Sequence, residues 1–151
     1  MVQAGEIYFP RAVTNELHQN RYIDTPEAWA LDAGLHVQLA YEPSNANWER
    51  AMFDAGDVVD VDAEAEPADP KVLAQALDLQ AAGFQPCVVT EDVVDRLPIK
   101  ISLKTACEQR LQLECCSLEQ FLVSIGFLAD PGAPVPGAGR DIPPAPPDAV
   151  A

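Results

Sequence analysis

Residues 68–92 read ADPKVLAQALDLQAAGFQPCVVTED, a helix-like segment followed by a strand-like one, with acids at both ends of a single apolar unit. Asp69 suits an N-cap and Pro70 a first helical residue, while Val72, Leu73, Ala76 and Leu77 trace a stripe at helical spacing that Gly83 closes. Cys87 to Thr90 is a short β-branched apolar run, the pattern of a strand covered on both faces.

The same alternation continues downstream. Ser102 caps a helix running to about Arg110, Leu113 to Cys116 forms a strand, and Ser117 with Gln120 makes a capping box for a helix that ends before Gly126. Helix, strand, helix, strand, helix with short connections predicts an α/β fold whose strands pair in parallel through right-handed crossovers. Upstream the signals are less regular. They comprise a short strand from Glu6 to Phe9 stopped by Pro10, and a helix from Arg11 with Val13 and Leu17 on one face and Glu16 on the next flank. A second helix runs from Thr25-Pro26 to Gly34, a strand spans HVQLAYE, and NANWERAMFDAG forms a further helix. DVVDVDAEAEPAD, residues 57–69, is an acidic linker with a short strand at Val58 to Val61. From residue 128 the chain holds 7 of its 14 prolines and little to pack, which predicts a Pro-rich disordered tail over 128–151 after a domain of 1–127.

The formal net charge is -15, and residues 1–92 carry 17 Asp and Glu against 4 Lys and Arg. Such a field opposes nonspecific binding to polyanions, which depends on neutralising phosphates. No apolar run is long enough to cross a bilayer and MVQAGEIYFPR has no leader pattern, so a cytoplasmic protein is expected. Cys87, Cys107, Cys115 and Cys116 form no C-x-x-C pair and are expected as buried or partly buried thiols. The linker fails as a calcium loop because Ala65 stands at the glycine position and Lys71 at that of the bidentate Glu. His18 and His36 stand apart, and no phosphate loop or G-x-S-x-G elbow occurs.

In a parallel α/β unit the start of a helix and the end of the next strand emerge at one edge of the sheet, where ligands bind. That geometry predicts that Asp69 and the Glu91-Asp92 pair face one crevice, joined by Glu16 if the first strand runs parallel to the others. Converging carboxylates repel, by roughly 4 kcal/mol per pair at 4 Å and a dielectric near 20, and so take up protons or hold a cation such as Mg2+ or Mn2+. Each acid also has a plainer role: Asp69 as a cap, Glu91 and Asp92 as turn residues, Glu16 as a solvated charge. Arg96, Lys100, Lys104 and Arg110 follow the crevice and are either solvated or guides for phosphates.

Asp69-Pro70 opening an apolar helix, then Gly83, then VVT before Glu91-Asp92, resembles the C-terminal half of a PIN domain. FPRAVTNEL with Glu16 is similar to the segment carrying that fold's second acid, and KISLKTACEQRLQLECCSLEQFLVSIGF resembles the closing helix-strand-helix of VapC-like toxin proteins. The resemblance implies a three-layer α/β/α fold with a mostly parallel sheet. It also implies a metal-dependent endoribonuclease of a toxin-antitoxin pair, with an RNA substrate, an antitoxin protein and a homodimer as partners. Glu16, Asp69 and Asp92 would be its catalytic residues and, with Glu91 as neighbour or substitute, its Mg2+ or Mn2+ ligands. Members of the family open with a strand ending in Asp-x-Asn. MVQAGEIYFP holds none, so an N-terminally incomplete PIN-like domain is expected, and the alternative is a noncatalytic scaffold acting through a protein partner.

Overall fold

The structure, a computed structural model, describes residues 7–18, 42–60 and 68–128. They form an α/β protein with five helices and a two-stranded parallel sheet. The helices are α1 (Arg11–His18), α2 (Asn45–Ala55), α3 (Asp69–Ala81), α4, which starts as Leu103–Thr105 and continues as a π-helical stretch Ala106–Leu111, and α5 (Leu118–Ser124). The strands are β1 (Cys87–Val89) and β2 (Glu114–Cys116), paired Cys87 with Glu114, Val88 with Cys115 and Val89 with Cys116. Parallel strands need a crossover, and α4 supplies it.

The helix ends follow local sequence rules. At the end of α3 the Phe84 N–H donates to Leu79 O and the Gly83 N–H to Gln80 O, with Gly83 at φ 89°, a Schellman closure that a residue with a Cβ adopts only under strain. α5 ends the same way, with Phe127 N–H to Leu122 O, Gly126 N–H to Val123 O and Gly126 at φ 72°. At its start Ser117 Oγ accepts from the Gln120 N–H while Gln120 Oε1 accepts from the Ser117 N–H, the reciprocal box foreseen from the sequence.

The core lies between α3 and the sheet. Leu73, Ala74 and Leu77 of α3 cluster with Val88, Ile101, Leu103, Ala106, Leu111 and Leu113. α2 lies along α3 and buries only Ala51 and Ala55, side chains short enough to let two helices come close. Asp78 ties the pair together by accepting from the Ser44 N–H (2.8 Å), Ser44 Oγ (2.6 Å) and Asn47 Nδ2 (2.6 Å).

Several expectations need correction. β1 is covered on one face only: Val88 is buried, whereas Cys87 and Val89 are exposed, because the two-stranded sheet of the described residues packs on the core from a single side. Cys87 is therefore an exposed thiol, although Cys107 is buried and Cys115 and Cys116 half-buried as expected. Ile7 to Phe9 do not form a strand, and Glu6 lies outside the described residues. Val58 ends a 3-10 turn, Gly56–Val58, instead of starting a strand. The turn is closed by the Val59 N–H donating to Gly56 O. The 25–34 helix, His36, the strand of 36–42 except Glu42, residues 61–67 and the tail beyond Leu128 lie outside the described residues. Among the described residues no helix is long and apolar enough to cross a membrane.

Candidate functional site

Asp69 is not the cap of α3. Ala68 holds that position with helical dihedrals (φ -74°, ψ -22°) and no side-chain cap bond, so Asp69 is the first helical residue and its carboxylate is free to turn elsewhere. It turns toward Lys100, whose Nζ lies 3.8 Å from Asp69 Oδ2 and 2.9 Å from Asp92 Oδ2. The two acids at the ends of the α3–β1 unit thus share one ammonium, and their oxygens are no further apart than those two distances together. The common rim expected from a parallel unit is present.

Asp92 is placed by three sets of bonds. Pairing with β2 extends past β1 through the Thr90 N–H and Cys116 O. The Asp92 N–H then donates to Thr90 Oγ1 at 3.0 Å, fixing the turn that leaves the strand. Finally Asp92 meets the start of α4, where its Oδ2 accepts from the Leu103 N–H (3.2 Å) and its backbone O from the Lys104 N–H (3.1 Å). Two of that helix's orphan donors are satisfied in this way, and the positive end of the helix favours the carboxylate. Asp95 holds the Ser102 N–H (2.8 Å), and this bond keeps its carboxyl below the ordinary carboxylate value.

Glu16 arrives from α1. Its Oε1 accepts from the Ala68 N–H at 2.6 Å, so an acid 52 residues away takes over the capping role expected of Asp69. Glu16 remains exposed, as its flank position allowed, and makes this bond to the Ala68 N–H. Glu91 goes the other way: its Oε1 accepts from the Leu118 N–H at 2.8 Å, at the start of α5. Glu91 stands at the bend that leaves β1, and the Glu91-Asp92 pair divides between two helix starts. The structure brings Glu16, Asp69 and Asp92 together and leaves Glu91 out.

Lys100 is the member of the site that the sequence left undistinguished among four basic residues. It closes a tight turn in which the Arg96 N–H donates to Lys100 O (2.9 Å) and the Lys100 N–H to Arg96 O (3.2 Å), which points its stem inward. Its side chain is 10% exposed, against 47% for Lys104 and 51% for Arg110, which pair with Glu108 and Asp57.

The charge balance at the site is uneven. Burial pushes the Asp69 carboxyl above its ordinary value of 3.8; Lys100 opposes this, but the charges of Asp92 and Glu16 add to the rise. An acid with a raised folded value contributes stability below 3.8 and loses it as pH climbs through that folded value, so charged Asp69 is a net cost at neutral pH. In the absence of divalent ions, Asp69→Asn is expected to raise stability at pH 7. The gain stays below about 1 kcal/mol because the side chain is partly solvated. Urea unfolding at pH 7 and pH 3.5 checks this: the gain disappears at the lower pH.

The donor chemistry fits a hard divalent ion. All three side chains offer carboxylate oxygen, and three acids against one ammonium leave two negative charges uncompensated. Among the described residues, however, no three Asp, Glu, His or Cys side chains stand as a ready-made cage, and the place between Asp69 and Asp92 is filled by Lys100.

A second group of reactive side chains lies elsewhere. Cys87 Sγ is 3.3 Å from Cys116 Sγ across the open face of the sheet, while Cys107 and Cys115 pair with each other. An open groove of about 540 Å³, lined by Cys87, Glu114, Cys115 and Cys116 among others, includes none of Glu16, Asp69 and Asp92. Partial desolvation against the sheet, with the Cys116 thiol beside it, pushes Cys87 up to about 12 although the residue is exposed overall, and burial raises Cys107 and Cys115. A thiol held protonated is a poor nucleophile. Despite its exposure, Cys87 is expected to react with iodoacetamide at pH 7.5 more slowly than free cysteine, read by mass spectrometry, and Cys116→Ser is expected to speed it.

No protein-family model matches the chain, and neither a curated protein nor a solved structure is matched by it.

Proposed function

We propose that the crevice is the site of a metal-dependent endoribonuclease of PIN type, in a three-layer PIN-like fold of which the described helices and parallel strands form part. The observation that carries the reading is the meeting of Asp69 and Asp92, from opposite ends of one helix-strand unit, on a single cation. Asp69 and Asp92 would hold Mg2+ or Mn2+, with Glu16 completing the negative field. When bound, the ion supplies Lewis acidity toward a phosphodiester oxygen and lowers the pKa of water. Asp92 is anchored by the start of α4 and Asp69 by its helix, so both present their oxygens without rearrangement of the backbone. Arg96, on the turn that carries Lys100, offers a positive charge for a neighbouring phosphate in a chain whose total charge repels RNA. An antitoxin as protein partner belongs to the same reading through the PIN resemblance.

A second reading, a noncatalytic PIN-like scaffold, is favoured by one observation: each of the three carboxylates already accepts a bond or ion pair from the protein. Calorimetric titration of the full chain with Mn2+, alongside cleavage of a single-stranded RNA with and without the ion, separates the two. Heat that vanishes in the Asp69→Asn/Asp92→Asn variant, together with Mn2+-dependent cleavage, is the expected result. Heat without cleavage favours the scaffold, and neither heat nor cleavage removes the enzyme reading.

A further inference from the structure

Two thiols are in contact on the outward face of the sheet, where the Cys87 thiol donates to Cys116 Sγ at 3.3 Å. Strand alternation puts both there: Cys87 and Val89 of β1, with Glu114 and Cys116 of β2, point away from the core, while Val88 and Cys115 point toward it. The two cysteines are diagonal neighbours, Cys87 aligned with Glu114 and Cys116 with Val89, and their side chains lean together across that offset. A disulfide needs about 2.05 Å between its sulfurs, so closing the pair draws them roughly 1.2 Å nearer. Both strands are three residues long and carry no packed layer on this side among the described residues, so the movement meets little resistance there.

We propose that Cys87 and Cys116 are a dithiol that closes reversibly to a disulfide, clamping β1 to β2, with a small cationic or neutral disulfide as its oxidant. The thiolate of one cysteine attacks the S–S bond of the oxidant, forming a mixed disulfide and releasing one thiolate. The other cysteine, losing its proton to that thiolate, attacks the protein sulfur of the mixed disulfide and expels the second thiol. Two thiols of the chain are oxidised, and the oxidant takes up their two protons and two electrons. Contact between the sulfurs makes the second step intramolecular, so the mixed disulfide is short-lived. Cys107 and Cys115 also pair, but Cys107 is fully buried and Cys115 packs against the core, which shields them from the same reagent. Glu108 and Glu114 line the groove beside the exposed pair, and their charge disfavours an anionic oxidant. The clamp sits beside the bond from the Thr90 N–H to Cys116 O, the last rung before the turn to Asp92, so it tightens the strand ends that lead to the crevice.

The test uses the full chain, reduced and folded at pH 8, with cystamine as the probe. Mass spectrometry after alkylation in denaturant is expected to show one Cys87–Cys116 cross-link per chain, with Cys107 and Cys115 alkylated and full reversal by dithiothreitol. Cys116→Ser is expected to retain the mixed disulfide at Cys87 that wild type resolves. In the oxidised protein, amide exchange at Thr90 is expected to slow at least threefold. Four free thiols, a mixed disulfide that persists in wild type, or a cross-link joining other cysteines or two chains overturns the proposal. A Cys87–Cys116 bond that leaves exchange at Thr90 unchanged overturns the clamp.

Discussion

Asp92→Ala is expected to lower the unfolding free energy by about 2–3 kcal/mol in urea titrations at pH 7. Removing one partner of a largely buried ion pair costs up to about 3–5 kcal/mol because the other charge is left uncompensated, and the partial exposure of Asp92 puts the expectation below the upper end of that range. Lys100 would keep only the longer contact to Asp69, at 3.8 Å, and the Leu103 N–H at the start of α4 would lose its acceptor. The loss is expected to be non-additive. Adding Lys100→Met to Asp92→Ala recovers part of the stability, since it removes the stranded ammonium, and a double-mutant cycle reads the coupling. A cycle without coupling would mean that the ion pair contributes nothing and that Asp92 matters as a helix cap alone.

Leu73→Ala is expected to cost about 3 kcal/mol, within the roughly 2–5 kcal/mol found for buried leucines truncated to alanine. Leu73 is 0% exposed and belongs to the face of α3 that packs into the core. Its neighbours in the cluster include Ala51, Ala55, Ala74 and Ala106, whose short side chains cannot extend into the space left behind. Phe53→Ala provides the contrast, because that ring is 90% exposed on α2 and its removal is expected to change stability by less than about 0.5 kcal/mol. Thermal and urea unfolding of both variants checks the pair, and similar values for the two would place the core elsewhere.

The parts of the molecule legible from sequence are those governed by neighbours a few residues away. α3 with its glycine stop, β1, the start of α4 at Ser102, and the Ser117–Gln120 box are local events, and their chain order implied the parallel pairing that β1 and β2 make. Convergence of Asp69 and Asp92 followed from that pairing. The opposite orientations of Glu91 and Asp92 depend on the bend at Glu91 and on the two helix starts they meet, which the local pattern does not reveal. Other features were hidden for a physical reason. Which of Arg96, Lys100, Lys104 and Arg110 turns inward depends on the Arg96–Lys100 reversal, and composition does not distinguish them. The exchange of capping roles, with Glu16 taking the Ala68 N–H and Asp69 left to meet Lys100, depends on a tertiary contact that no window of sequence contains.

That contact between Glu16 and Ala68 also bears on the order of assembly. Its 52-residue separation makes it a long-range closure whose entropic cost must be met before it gains anything, while the α3–β1 unit draws on contacts close along the chain. On this ground two of the acids are expected to meet earlier in folding than the third joins them. Amide exchange at Ala68 is therefore expected to outpace that at Leu77, as a latch opens before the wall it closes against.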